Sequence, residues 1–238
     1  MGPTSVRQTR LAHAPTASIA LFVDAGYVRR CAARRHEIVD GSPIQASRVS
    51  IDAGRISRLL DSLIIDFDLE ASPGGEASRP ERRIYDTVSD DRRQRWRQPH
   101  YRGALRAEGF VLRTLRAPRR PAKPGTVADA RDRSDVVEAA LADDLIRRAG
   151  ELSTVVVLAG GEQTASAVWA AREQGAEVVL AIPLGCGALV AEGLREAATR
   201  VIGLHPEVFE ALFEVRDAGR RRAAGRASGL PARVGVPG

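Results

Sequence analysis

The 238-residue chain has two cysteines, one methionine, one lysine and only 4% aromatic residues. Cys31 and Cys186 are too far apart in sequence to suggest a disulfide framework, and they match no zinc or thiol-redox spacing. The four histidines (His13, His36, His100 and His205) are scattered, which gives a zinc site no support. The longest early apolar run, Ile19–Val23, ends at Asp24, too short for a membrane span or a secretory leader. These absences argue against a stapled secreted domain and against a membrane protein. A reducing, cytoplasmic setting with no membrane partner is the expectation.

What is present fits a globular chain. Hydrophobic residues make up 44% and charged residues 28%, ordinary values for a packed domain. A single α/β domain with tails fits this length, and such a chain buries roughly 70% of its unfolded surface. The charge is lopsided: 36 basic against 30 acidic residues give +6 and a pI near 10.2, and all but Lys123 of the basic residues are arginine. Residues 92–120 hold ten arginines and one acid, and residues 216–238 hold six arginines and one acid, so the rest of the chain is net −8. A basic surface beside an acidic remainder suits a nucleic-acid binder with a carboxylate site. A solvated basic helix and a disordered tail account for the same residues.

Along the chain, residues 1–16 lack periodicity and read as a tail. The domain is expected over 17–215, and the Arg/Gly/Ala/Pro-rich stretch 216–238 as a basic disordered tail. SIALFVD is a strand ending in an acid, and a helix follows from Tyr27 towards His36. Helical spacing covers 51–64, and ASPGGEASRPER (71–82) is a loop. RIYD (83–86) is a second acid-tipped strand. The arginine-rich 92–107 segment is helix-like, with Pro99 expected to kink or divide it. Residues 110–115 form a strand and 117–132 a loop. A helix is expected over 134–149 with Ser134 as its cap. Strand 154–158, helix 164–174, strand 177–182, helix 189–198, strand 201–204 and a helix opened by Pro206 complete the pattern.

Strands alternating with helices imply a mainly parallel central sheet with helices on both faces. Ligands in such folds sit beyond the carboxyl ends of the strands. That rule selects Asp24, Asp86, Gly160-Gly161-Glu162-Gln163 and Pro183-Leu184-Gly185. Asp24 suits both a metal-binding rim and a helix N-cap. Asp135, Glu138, Asp143 and Asp144 make the 134–149 helix acidic, as a solvated face or as ion ligands. Glu138 and Asp144 are six residues apart, about 240° around a helix, and do not share a face. The Gly160-Gly161 pair fits either a phosphate-approach turn or a tight turn. Arg92, Arg93, Arg95, Arg97 and Arg102, with Trp96 and Tyr101 between them, could pair with phosphates and stack on bases. Trp96 is equally at home in a core.

The order ALFVDAGY (20–27), RIYD (83–86), VEAALADDL (137–145), TVVVLAGG (154–161) and WAAREQGAEVVL (169–180) resembles the NYN domain of the PIN-like ribonucleases. LREAATRVIGL (194–204) resembles its closing segment. The resemblance implies a PIN-like three-layer sandwich that binds Mg²⁺ or Mn²⁺ through clustered carboxylates and hydrolyses RNA. It puts Asp24 at the first metal position, with Glu138 (where the family usually has Asp) and Asp144 as the helix pair. After the fourth strand the family carries Ser-Gly-Asp-x-Asp-Phe. Here the positions read Ala159-Gly160-Gly161-Glu162-Gln163-Thr164, and Glu162, one residue out of register, is a weak substitute ligand. With three carboxylates left, a single ion and reduced activity are implied. The alternative is a catalytically inactive RNA-binding or protein-interaction module. The sequence leaves open whether a homodimer or another protein is a partner.

Overall fold

The computed structural model describes residues 18–66, 80–88, 98–116, 127–210 and 212–215. The two tails and Arg92, Arg93, Arg95, Trp96 and Arg97 lie outside the described residues, as do 71–79 and 117–126 of the expected loops.

Two wholly buried runs form the centre of the sheet. β1 (Ile19–Asp24) and β5 (Thr154–Leu158) are apolar along nearly their whole length because both of their faces are covered. β3 (Glu81–Thr87) and β4 (Phe110–Leu115) extend the sheet on one side of this pair, and β6 (Glu177–Pro183) and β7 (Arg200–Leu204) on the other. The order is β4-β3-β1-β5-β6-β7, and every pairing is parallel. The chain therefore winds outward in both directions from β1 and β5. The gap between their carboxyl ends is the topological switch point, where open α/β sheets place their ligands.

Helices cover both faces. Among the described residues they are α1 (Ala25–Asp40), α2 (Ala53–Asp66), α3 (Gln98–Ala107), α4 (Val127–Arg148), α5 (Glu162–Glu173), α6 (Glu192–Ala197) and α7 (Pro206–Glu210). The pleat of β3 decides which helix each residue meets. Arg83 and Tyr85 point to α4, where both bond Asp144. Arg82 and Asp86 point the other way, to Asp61 of α2 and Arg29 of α1. The result is a three-layer α/β sandwich. A small antiparallel pair, β2 (Val49–Ile51) with β8 (Phe213–Val215), brings the end of the described chain back beside the start of α2. Among the described residues no helix is long and apolar enough to cross a membrane.

Several local expectations change. Ile51 belongs to β2, and the helix behind it starts at Ala53 with Asp52 accepting from the Arg55 N–H at 2.9 Å. Pro99 lies in the first turn of α3, where its missing N–H costs nothing, and the expected segment before Gln98 lies outside the described residues. α4 begins at Val127, inside the expected loop; Ser134 is thus an interior residue and not the cap. The helix expected over 189–198 is a 3-10 turn, Gly187–Leu189, followed by the shorter α6.

Candidate functional site

Asp24 ends β1 and is the N-cap of α1, with Oδ1 accepting from the Tyr27 N–H at 3.0 Å. It therefore caps the helix, as one reading of its position expects, and it also stands at the switch point. It is 1% exposed. Burial pushes its carboxyl above the ordinary range, opposed by the Arg30 guanidinium and by the Tyr27 and Gly26 backbone N–H groups.

Glu138 reaches the same place from α4. It is buried, and the Ser134 hydroxyl donates to its Oε1 at 2.9 Å. Burial raises its carboxyl as well; the Ser134 bond and Arg30 oppose that, and the charge of Asp24 adds to it. The charge of Asp24 is thus felt at Glu138, while the acid whose charge raises Asp24 is Asp86. Gly161, the N-cap of α5, makes room for this approach, because a Cβ added there would fall within the Glu138 carboxylate. The longer acid at 138 and the missing side chain at 161 are two halves of one fit. Gly160 is explained by packing: a Cβ there would strike the Leu189 carbonyl oxygen and the Tyr27 ring.

Asp144 does not join this pair. Six residues along α4 from Glu138, it stands about 9 Å further down the axis. The Tyr85 hydroxyl donates to its Oδ2 at 2.8 Å, Arg83 lies 3.3 Å from the same oxygen, and Arg113 and Arg147 reach Oδ1 at 2.7 and 2.5 Å. Burial alone would raise this carboxyl. The Tyr85 hydrogen bond and the Arg113 and Arg83 guanidinium groups outweigh burial and hold it below the usual carboxylate range. Its two oxygens are already committed to arginines, which corrects the expectation that three carboxylates converge.

Glu162 is also turned away. Its carboxylate lies towards Gly193 at the start of α6, where an added Cβ would come within 2.6 Å of Oε1. Asp86 points to the opposite face of the sheet and forms a two-armed pair with Arg29, both arms 2.7 Å. Of the residues expected to contact RNA, Arg102 is described, on α3 and partly exposed. Tyr101 packs against the core with its ring 6.0 Å from the Arg29 guanidinium, so it is not presented for stacking. Among the described residues no group of three or more His, Cys, Asp or Glu side chains could hold a metal ion.

Two further groups carry the geometry and were not singled out from the sequence. Arg30 places NH2 3.5 Å from Asp24 Oδ2; its only sequence signal is a cation less than two turns beyond the acid. Cys31 and Cys186 meet in the core, with the Cys186 thiol 3.6 Å from the Cys31 carbonyl oxygen. Nothing in their spacing announced this.

Asp24 and Glu138 could between them offer carboxylate oxygens to one hard divalent cation, the ligand type such an ion takes. They do not fit a two-ion clamp, which needs more acids around a second centre.

No family model matches the sequence, and no curated protein matches it. Among solved structures, the chain is similar to a protein of unknown function, VPA0982 from Vibrio parahaemolyticus RIMD 2210633. The two share 16% identity at a TM-score of 0.48, over 80% of this chain and 94% of that one.

Proposed function

We propose that this protein is a NYN-like phosphodiesterase acting on RNA, with one Mg²⁺ or Mn²⁺ held by Asp24 and Glu138 and with low turnover. The observation that carries this reading is a pair of buried acids from two elements distant in sequence, Asp24 at the switch point of the sheet and Glu138 against Gly161 just beyond β5. The resemblance of the Asp24, Glu138 and Gly160 segments to the NYN pattern supports it. The cation would supply an activated water and offset charge gathering on the phosphate. The protein's own residues prepare the place. The Tyr27 N–H fixes Asp24. The Ser134 hydroxyl fixes Glu138, and Gly161 leaves that carboxylate its space. The arginines of 92–102 would follow the RNA backbone, and the cytoplasm is the compartment this reading implies.

The test is cleavage of labelled single-stranded RNA in Mn²⁺ by wild type and Asp24→Asn. Product that forms with Mn²⁺, stops in EDTA and is absent with the variant supports the reading; product that persists in EDTA rules it out. The capture of Asp144 by arginines favours a second reading, an RNA-binding module without turnover. That version predicts salt-sensitive RNA binding and no product with either cation.

A further inference from the structure

The Asp24–Glu138 pair has a positive group of its own. Arg30 lies on α1 six residues beyond Asp24 and returns its guanidinium to the helix N-terminus, where NH2 is 3.5 Å from Oδ2. That is a loose contact, since charge-assisted N–H···O⁻ bonds close to about 2.7–2.9 Å. The adjacent Arg29 shows what a tight one looks like here, with both arms at 2.7 Å to Asp86. The Arg30 side chain is 35% exposed while its partner is 1% exposed, so it stands between the buried acid and solvent. Gly26 helps to leave this space open: a Cβ there would lie 3.0 Å from Asp24 Oδ1 and 3.4 Å from Arg30 NH1. The same guanidinium also favours the ionised form of Glu138, so it serves both acids.

We infer that Arg30 is a built-in counter-ion of the Asp24–Glu138 pair, which a divalent cation must displace and a phosphodiester draws off, so that cation and RNA bind cooperatively. The inference rests on the cation site proposed above. The guanidinium beside the Asp24 carboxylate stands where a cation would approach, and the two positive groups repel each other. The side chain is long, flexible and permanently charged, so it yields by swinging towards solvent. A phosphodiester arriving at the strand edge is the natural acceptor for its planar fork. Each ligand then removes the obstacle to the other, and linkage requires both to gain by the same factor.

The experiment measures Mn²⁺ binding to the full chain by the paramagnetic resonance of free Mn²⁺, with and without a cleavage-resistant phosphorothioate oligonucleotide. Circular dichroism confirms that each variant is folded. Wild type is expected to bind Mn²⁺ about tenfold tighter when the oligonucleotide is present, within the usual range of coupling. Arg30→Gln is expected to bind Mn²⁺ about tenfold tighter than wild type without the oligonucleotide, and to gain less than about twofold from it. Arg30→Lys, which keeps the charge, should stay near wild type. Unchanged or weaker Mn²⁺ binding by Arg30→Gln, with binding abolished in Asp24→Asn, overturns the role of Arg30 and leaves the cation site standing. If neither wild type nor Arg30→Gln binds Mn²⁺, the cation site falls, and this inference with it.

Discussion

The carboxylate of Glu138 occupies the space where a side chain on Gly161 would begin. An acid on the long helix α4 and a glycine at the start of α5 therefore depend on each other, although 23 residues separate them in the chain.

Gly161→Ala should show that dependence directly. Its Cβ must push the Glu138 carboxylate aside; because that is the far end of a flexible side chain, the loss should lie at or below the low end of the about 1–3 kcal/mol usual for overpacking. Urea unfolding should report that loss, and Mn²⁺ binding should weaken. Adding Glu138→Ala should restore part of the stability without restoring the cation, a coupling of about 0.5–3 kcal/mol in a double-mutant cycle. Simple additivity would mean that the two positions do not compete for one space.

Asp144→Asn tests the separation of the third acid from the site. The Tyr85 hydroxyl would lose an ionised acceptor, and three arginines would lose their shared partner. The expected cost is about 1–3 kcal/mol, discounted towards the lower end because Arg113 and Arg147 are 41% and 58% exposed. Cleavage per folded molecule should be unchanged. A folded variant that had lost all Mn²⁺-dependent cleavage would return Asp144 to the site.

The three acids also make stability depend on pH with opposite signs. Asp144 titrates below its ordinary value when folded. Its contribution is present above the unfolded pKa, about 3.9, and is lost as pH falls through the lower folded value. Asp24 and Glu138 titrate above their ordinary values. The folded state then holds protons that the unfolded state has released, so stability falls as pH rises from their unfolded values through their folded ones. Mild acidification from neutrality should therefore raise the urea midpoint before stronger acid lowers it. An Asp24→Asn, Glu138→Gln double variant should lose the rise and keep the fall.

Asp24→Asn alone should separate stability from function. Asparagine caps a helix as well as aspartate does, and it removes a buried charge that the fold holds against desolvation. Thermal unfolding should show no loss of stability at neutral pH, while Mn²⁺-dependent cleavage drops to background. A variant that unfolds readily would mean that the Arg30 contact outweighs burial.

The basic segment is tested by salt. If Arg92, Arg93, Arg95 and Arg97 each neutralise one phosphate, replacing all four with alanine should lower the slope of log affinity against log salt by about 3 for single-stranded RNA, at roughly 0.7 per contact. An unchanged slope would take these arginines off the RNA path.

The sheet and the rim at its carboxyl end were legible in the amino-acid order alone. The runs at 19–24 and 154–158 are apolar on both faces, which suits only central strands of a covered parallel sheet, and their abrupt ends placed Asp24 and Gly160-Gly161 at the rim. The amino-acid order also determined that Glu138 and Asp144 could not share a helix face, since that angle depends only on their spacing. It could not determine which of the two would meet Asp24. That depended on how α4 lies across the sheet, which turns Asp144 towards Arg83, Tyr85 and Arg113 of β3 and β4 and leaves Glu138 to the switch point. The start of α4 at Val127, the return of Arg30 to Asp24 and the meeting of Cys31 with Cys186 were hidden for the same reason. Periodicity along a chain specifies which side chains share a direction; only the packing of one element on another supplies the partner that each direction meets.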